Sequence, residues 1–497
     1  MLRPWELNVN IVRNSGTPIH VQIAKIIIEE IERERFKPGE ALPGTRELSN
    51  KLRVNRKTVV QAYDELIAQG WLTTENKRGT FVSSRILTAS HYAKPAKISA
   101  IKVSGKKHRI SDKLIHPQNN RQSADCINFC EDLPDSRLVP FEVLSRAMRH
   151  ALISSVRNNK LHYSDPRGVK ILREAIVQML NMERGLNTNL DNICIVRGSQ
   201  MGIWLAARVL IEAGDFIVVE QLSNPAAREA FKNCAASILT VSHIESGIDL
   251  NALESLCLSY KVRAIYVTPN HQIPTGTNMS IEDRKKLLKL ADCYDFVIIE
   301  DDSNYEFNHT QGITFPIASL DTSGRVIYIG SFSKVLAPGF RIGYIVAPVH
   351  VIQHFASDIS IIDRQGNTII ELALAELLLT GEIKRHILRA KKIYAERRYY
   401  ISNLIKLELN EFTTHTVPIS GFGLWLTIAA NIDIDLLLHD AEKEKVKLMS
   451  PSVFSEHQQY ISGLRLGFAH LDLEEITLGI KRLRSVFLHQ ADQILSA

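Results

Sequence analysis

Cysteine is scarce and scattered, with Cys126, Cys130, Cys194, Cys234, Cys257 and Cys293 the only six in 497 residues. None forms a C-x-x-C pair, which removes zinc knuckles and a disulfide framework and fits reduced thiols in a cytoplasmic protein. Long apolar runs are missing as well. No stretch approaches the ~20 residues that cross a bilayer, so no membrane partner is expected. The opening MLRPWELNVN has no apolar h-region, so no export signal is expected. The histidines, His162 and His271 included, lack metal-ligand spacing, so no metal is expected. Internal repeats are absent. Charge of one sign does not dominate: the formal net charge is +6 and the pI about 8.8, a mild basic excess. A hydrophobic share of 45% and a charged share of 23% are those of an ordinary globular protein. The length suits one large domain and a smaller one.

What is present centres on SFSKVLAPGFR, Ser331 to Arg341. It follows the β-like run Arg325 to Gly330, so Ser331, Ser333 and Lys334 fall where a strand opens into a loop at a sheet edge. A lysine desolvated there has a lowered pKa, because burial disfavours the ammonium, and the neutral amine can form a Schiff base. The adjacent hydroxyls and Arg341 suit a phosphate. Together these are the parts of a site for pyridoxal 5'-phosphate.

The first eighty-odd residues form a separate pattern. Apolar Ile19, Ile23, Ile26, Ile27 and Ile31 recur at helical spacing until Lys37-Pro38-Gly39. A shorter helix follows Pro43-Gly44-Thr45, with Leu48 and Leu52 inward. Asn55 caps a third, which buries Val59, Tyr63, Leu66 and Ile67 and stops at Gly70. Two short β-like runs, Trp71 to Thr74 and Gly79 to Val82, flank a polar turn. Three helices and a hairpin in this order predict a winged helix-turn-helix over residues 1–84. Arg46, Arg56, Lys57 and Thr58 lie where a recognition helix meets bases and phosphates, and Lys77 and Arg78 tip the wing.

From 85 to 123 periodicity fails and nine basic residues face the single acid Asp112, the composition of a linker. Residues 124–497 alternate β-like and helical runs. Strands are expected at Asn192 to Val196, Asp215 to Glu220, Ser237 to Val241, Ala264 to Thr268, Phe296 to Glu300, Arg325 to Gly330 and Gly343 to Ala347. The fold class is therefore α/β, a mostly parallel sheet with helices on both faces and ligand chemistry at the carboxyl ends of its strands. Gly198-Ser199-Gln200 ends one strand and opens a helix, an anion site. Asp301 and Asp302 end another, where a carboxylate can pair with a pyridinium nitrogen.

The phrase LPGTRELSNKLRVNRKTVVQAYDELIAQGWL with the wing GTFV resembles the GntR family of bacterial regulators. HYSDPRGVKILREAI, VRGSQMGIWLAARVL, TPNHQIPTGT, IIEDDSNYEF, SFSKVLAPGFRIGYIVAP and GLRLGF resemble the fold type I aminotransferase domain. The two together resemble the MocR subfamily. That resemblance implies double-stranded operator DNA as partner, with Arg46, Asn55, Arg56, Thr58 and Gly79 as contacts. It implies pyridoxal 5'-phosphate bound covalently at Lys334, Asp301 on the pyridine nitrogen, and Ser199, Gln200, Ser331, Ser333 and Arg341 on the phosphate. It further implies a homodimer in which Tyr163 reaches the neighbouring subunit's phosphate, and an amino acid effector whose carboxylate meets Arg465, with Arg228 nearby.

The pattern is broken at three places. Asn224 stands where an aromatic residue usually stacks on the ring, Ile273 where an Asn usually donates to the phenolic oxygen, and Ser303 where a Tyr usually does, leaving Tyr305 as a substitute only in a reshaped loop. Each loss removes a contact worth roughly 0.5–1.5 kcal/mol. The expected function is a pyridoxal-phosphate-dependent transcriptional regulator. An active aminotransferase that also binds DNA, and a DNA-binding dimer with a cofactor-less domain, stay open at this point.

Overall fold

The computed structural model describes residues 11–13, 16–33, 35–75, 78–84, 125–244, 247–309, 315–456 and 461–496, so Lys77 and the basic connector 85–123 lie outside the described residues. The chain divides into two units, Met1–Asn119 and Asn120–Ala497.

In the first unit the helices are Ile19–Glu32, Thr45–Leu52 and Arg56–Ala68, followed by antiparallel strands Leu72–Glu75 and Gly79–Val82. Ile23, Ile27, Leu48, Val59, Tyr63 and Leu66 close one small core, the inward stripe that helical spacing dictates. Asn55 caps the third helix by accepting from the Lys57 N–H at 2.9 Å, which fixes where that helix starts. The buried Tyr63 hydroxyl donates to the Pro43 carbonyl at 2.9 Å and ties the third helix to the entry of the second.

In the second unit all seven expected strands join one sheet: Ile193–Val196, Phe216–Glu220, Ser237–Val241, Val262–Val267, Val297–Asp301, Val326–Ser331 and Gly343–Val346. Across the sheet their order is Ile193–Val196, Gly343–Val346, Val326–Ser331, Val297–Asp301, Val262–Val267, Phe216–Glu220, Ser237–Val241. Neighbours run parallel except Gly343–Val346, which is antiparallel to both strands beside it. Both faces are buried, as helical crossovers require. Ile195, Val218, Ile265 and Ile298 pack on one side, while Cys194, Val196, Ile217, Ile299 and Ile329 pack on the other, the period of two expected of a strand. Strands Gly423–Ile428 and Gly463–Gly467 pair antiparallel in a smaller sheet, with Trp425 opposite Arg465.

Candidate cofactor site and nucleic-acid interface

Lys334 follows directly on the strand Val326–Ser331 and is half-buried. Its ammonium donates to Asp132 Oδ2 at 2.6 Å and to Asn304 Oδ1 at 2.5 Å. The partner Asp132 also lies 3.2 Å from Arg465, a buried residue of the smaller sheet. Burial works against ionising Asp132, but the cations Lys334 and then Arg465 hold its carboxyl well below the usual range.

On the neighbouring strand, Asp301 Oδ2 accepts from the Tyr266 hydroxyl at 2.8 Å and Oδ1 accepts from the Ser303 N–H at 3.2 Å. Burial first, and then the adjacent Asp301, raises the Tyr266 pKa, so the phenol stays protonated and donates. Asn224 bonds the same phenol with its side chain and caps the helix Pro225–Asn233 by accepting from the Ala226 N–H at 3.0 Å. Asp302 turns away from this arrangement, accepting from Asn270 at 2.9 Å and Tyr328 at 2.7 Å.

The helix Gly198–Leu210 has no side-chain cap at its start, so its first N–H groups are free to meet an anion. Arg341 crosses that start, donating to the Arg197 carbonyl at 2.8 Å. Gly198 has φ +76°, and a Cβ there would stand 3.1 Å from the Arg341 guanidinium. Ser331 is buried and its hydroxyl accepts from the Ser333 N–H at 3.2 Å. Ser333 Oγ is shielded from water yet has no hydrogen-bond partner. An uncapped helix start, a guanidinium and an orphaned hydroxyl fit a phosphate, and the lysine and the Asp301–Tyr266 pair fit the rest of pyridoxal phosphate. Gly198→Ala is expected to destabilise this unit by ~1–2 kcal/mol, the cost of a left-handed non-glycine residue. By pressing on Arg341 it is also expected to weaken cofactor binding, which thermal unfolding and a cofactor titration read separately.

Three expected site residues are placed otherwise engaged. Tyr305 begins a short 3-10 turn that carries its ring to Arg184 at 4.2 Å and its hydroxyl to the Glu183 carbonyl at 3.0 Å, so it does not replace the tyrosine missing at Ser303. The Arg228 guanidinium is buried and spent on the Ser223, Val453 and Phe454 carbonyls and on Glu456, a structural clasp and not an open effector contact. Gln200 directs its amide to the Ala226 carbonyl at 2.9 Å, and Ser199 is half-buried at the helix start. Tyr163 is 81% exposed, with Arg364 beside its ring at 5.7 Å. Asp132, Asn304, Tyr266 and His271 were not singled out by sequence reasoning for roles at this site. Tyr266 carried a signal, a polar ring near the carboxyl end of the strand Val262–Val267, between apolar Ile265 and Val267.

In the first unit Arg46, Asn55, Arg56, Lys57, Arg78 and Gly79 are exposed and Thr58 half-buried. Arg56 Nε donates to Thr45 Oγ1 at 3.3 Å, joining the starts of the second and third helices on one face. Arg78 pairs with Glu75 at 2.6 Å, a surface contact of small net worth that a phosphate can displace.

The family model for aminotransferase class I and II matches residues 124–483, and that for bacterial regulatory proteins of the gntR family matches residues 19–82. The chain is a MocR-type regulator. It belongs to the class I and II aminotransferase family and carries a GntR domain, which binds DNA, in front of it. A probable rhizopine catabolism regulatory protein MocR of Rhizobium meliloti is 28% identical over 480 residues, 96% of this chain and 95% of that one. An aromatic-amino-acid aminotransferase of Thermococcus litoralis is 30% identical over 73% of this chain and 88% of its own. A multiple substrate aminotransferase from Thermococcus profundus superposes with a TM-score of 0.72 at 28% identity, over 77% of this chain and 98% of that structure. The cofactor of such a domain is pyridoxal 5'-phosphate, as the site's chemistry requires. Among the described residues of this MocR-type chain no helix is long and apolar enough to cross a membrane, and no acidic, histidine or cysteine cluster could hold a metal.

Proposed function

We propose that this MocR-type regulator uses pyridoxal phosphate as a ligand that sets its affinity for operator DNA and does not turn over substrate. The observation that carries the reading is Lys334, poised at the carboxyl edge of a strand with a phosphate cradle and the Asp301–Tyr266 pair, on a chain that also carries a winged helix. When bound, the cofactor supplies an aldehyde carbon for Lys334 and a ring that draws electrons once its nitrogen is protonated. Asp301 keeps that nitrogen protonated and Tyr266 orients Asp301. Ser199, Ser331, Ser333 and Arg341 hold the phosphate, with Gln200 bracing the turn beside them.

The chain's own residues also speak against efficient catalysis. Asn224 is committed to a helix cap, and Ile273 has no side-chain donor; its N–H instead donates to Thr268 at 3.2 Å. Asp132 lies 3.2 Å from Arg465, so a substrate carboxylate reaching that arginine would meet a like charge beside it. A homodimer is the assembly proposed, because Tyr163 is exposed, matches the family tyrosine that reaches a neighbouring subunit's phosphate, and a two-fold pair suits two DNA half-sites. Such a protein works in the cytoplasm, beside the chromosome. Arg46, Asn55, Arg56, Lys57, Thr58, Arg78 and Gly79 make the DNA contacts. Steady-state transamination across the common amino acids tests the reading: rates far below ordinary turnover are expected, and about 1 per second or faster would favour the enzyme.

A further inference from the structure

Two helices share a cavity of about 570 Å³, within the ~300–1,000 Å³ range of small-molecule sites. Ala175, Met179 and Met182 line it from the helix Lys170–Glu183, and Ile383, Ile387 and Lys391 line it from the helix Glu382–Glu408. Each set recurs every three or four residues, the spacing that puts side chains on one helix face. Phe332 is a further wall residue, so whatever fills the cavity packs against the stretch Ser331 to Arg341 that carries Lys334. Met182 and Leu388, also in the lining, are 76% and 56% exposed, apolar surface that an apolar guest would cover. The flexible thioethers of Met179 and Met182 adapt to a guest of irregular shape.

Five charged residues line the same cavity: Glu183, Arg184, Glu306, Lys384 and Lys391. Four of them cancel in pairs. The buried Arg184 guanidinium bonds Glu306, and Lys384 donates to Glu183 at 2.8 Å. Lys391 is left over. It is half-buried and, among the described residues, has no hydrogen bond or ion pair. Burial lowers its pKa and no carboxylate counters that, so an anion brought beside it is stabilised. A half-buried cation without a counter-ion, on an apolar wall, suits a ligand with one negative charge and an apolar body. A dianion would bring one charge more than the wall leaves uncompensated.

We propose that this cavity is a second ligand site and that it binds a monocarboxylate with an apolar body, the carboxylate on Lys391 and the body between the two helices and Phe332. The site uses neither Lys334 nor Arg465, so the inference stands apart from the reading of Lys334 as the pyridoxal phosphate site.

The test uses the full chain and three probes: octanoate, 1-octanol, which keeps the chain length without the charge, and acetate, which keeps the charge without the chain. Calorimetry is expected to show octanoate binding at least about tenfold more tightly than either of the others. Lys391→Met keeps an unbranched side chain without the charge. It is expected to weaken octanoate at least about tenfold and to leave 1-octanol unchanged. Leu388→Glu changes an exposed position one helical turn before Lys391 and gives that lysine a carboxylate from its own helix, so it is expected to weaken octanoate likewise. Arg465→Met, shown to be folded by circular dichroism, removes the arginine to which the family resemblance assigns a carboxylate, and is expected to leave octanoate affinity unchanged. Octanoate binding no tighter than 1-octanol or acetate, octanoate affinity unchanged in either Lys391→Met or Leu388→Glu, or octanoate affinity lost in folded Arg465→Met would overturn the inference.

Discussion

Replacing Lys334 with alanine is expected to abolish the visible absorption that the wild-type protein acquires with pyridoxal phosphate and to weaken cofactor retention by more than about tenfold. The phosphate cradle of Ser333, Arg341 and the free N–H groups at Gly198 is untouched by the change, so weak non-covalent binding persists. Alanine also strips Asp132 and Asn304 of the ammonium they share, and a loss of stability would confuse the result. Lys334→Arg answers that objection. It keeps a cation beside Asp132, but a guanidinium stays protonated at any working pH and forms no imine. Both variants are expected to lack the band. A band that survives in either, read by absorption after gel filtration, would place the covalent attachment elsewhere.

The second large effect belongs to the DNA-binding unit. Arg56→Ala is expected to cost ~1–3 kcal/mol of operator affinity if the side chain reads a base, and to relax specificity at one position. Arg56 is the first residue of the third helix, behind the Asn55 cap, and it is exposed on the face that Thr45 shares. Arg53 serves as the comparison, since it closes the second helix in a left-handed conformation at φ 49°. Its carbonyl takes a hydrogen bond from Arg13. Arg53→Ala is expected to change operator affinity little. Equal losses for both, measured by titration at fixed salt, would mean that the third helix does not enter the groove by its start.

The parts of this molecule that are local in sequence were readable in advance. The seven strands of the main sheet were expected to within two residues at each end, because two buried faces make each a short continuous apolar run between turns and helices. The third helix began where Asn55 predicted a cap, and Lys334 stood at a strand end for the same reason. The misreadings all involve contacts across long stretches of chain. Asp132 meets Lys334 across 202 positions, from a loop without periodicity, so nothing near it in sequence announces the pairing. Arg228 looked available until the Val453 and Phe454 carbonyls, more than 220 positions away, closed on it. Tyr305 sat plausibly near Asp301 in sequence, but a single 3-10 turn re-aimed its ring towards Arg184. The departures at Asn224, Ile273 and Ser303 were visible in advance, but what replaces them was not. Asn224 supports Tyr266 in place of stacking on a ring, and Asn304, one residue past Ser303, is the side chain that reaches Lys334.

The central claim is that cofactor and operator bind to linked states of one protein, and reciprocal titration tests it most directly. Operator affinity is measured with and without pyridoxal phosphate, cofactor affinity with and without operator, and operator affinity again in Lys334→Ala. Linkage requires the two ratios to be equal, and coupling of this kind is typically about 5- to 150-fold. The account predicts equal ratios in that range and a Lys334→Ala protein that no longer responds to the cofactor. Operator affinity that is the same with the cofactor, without it and in the variant would contradict the account.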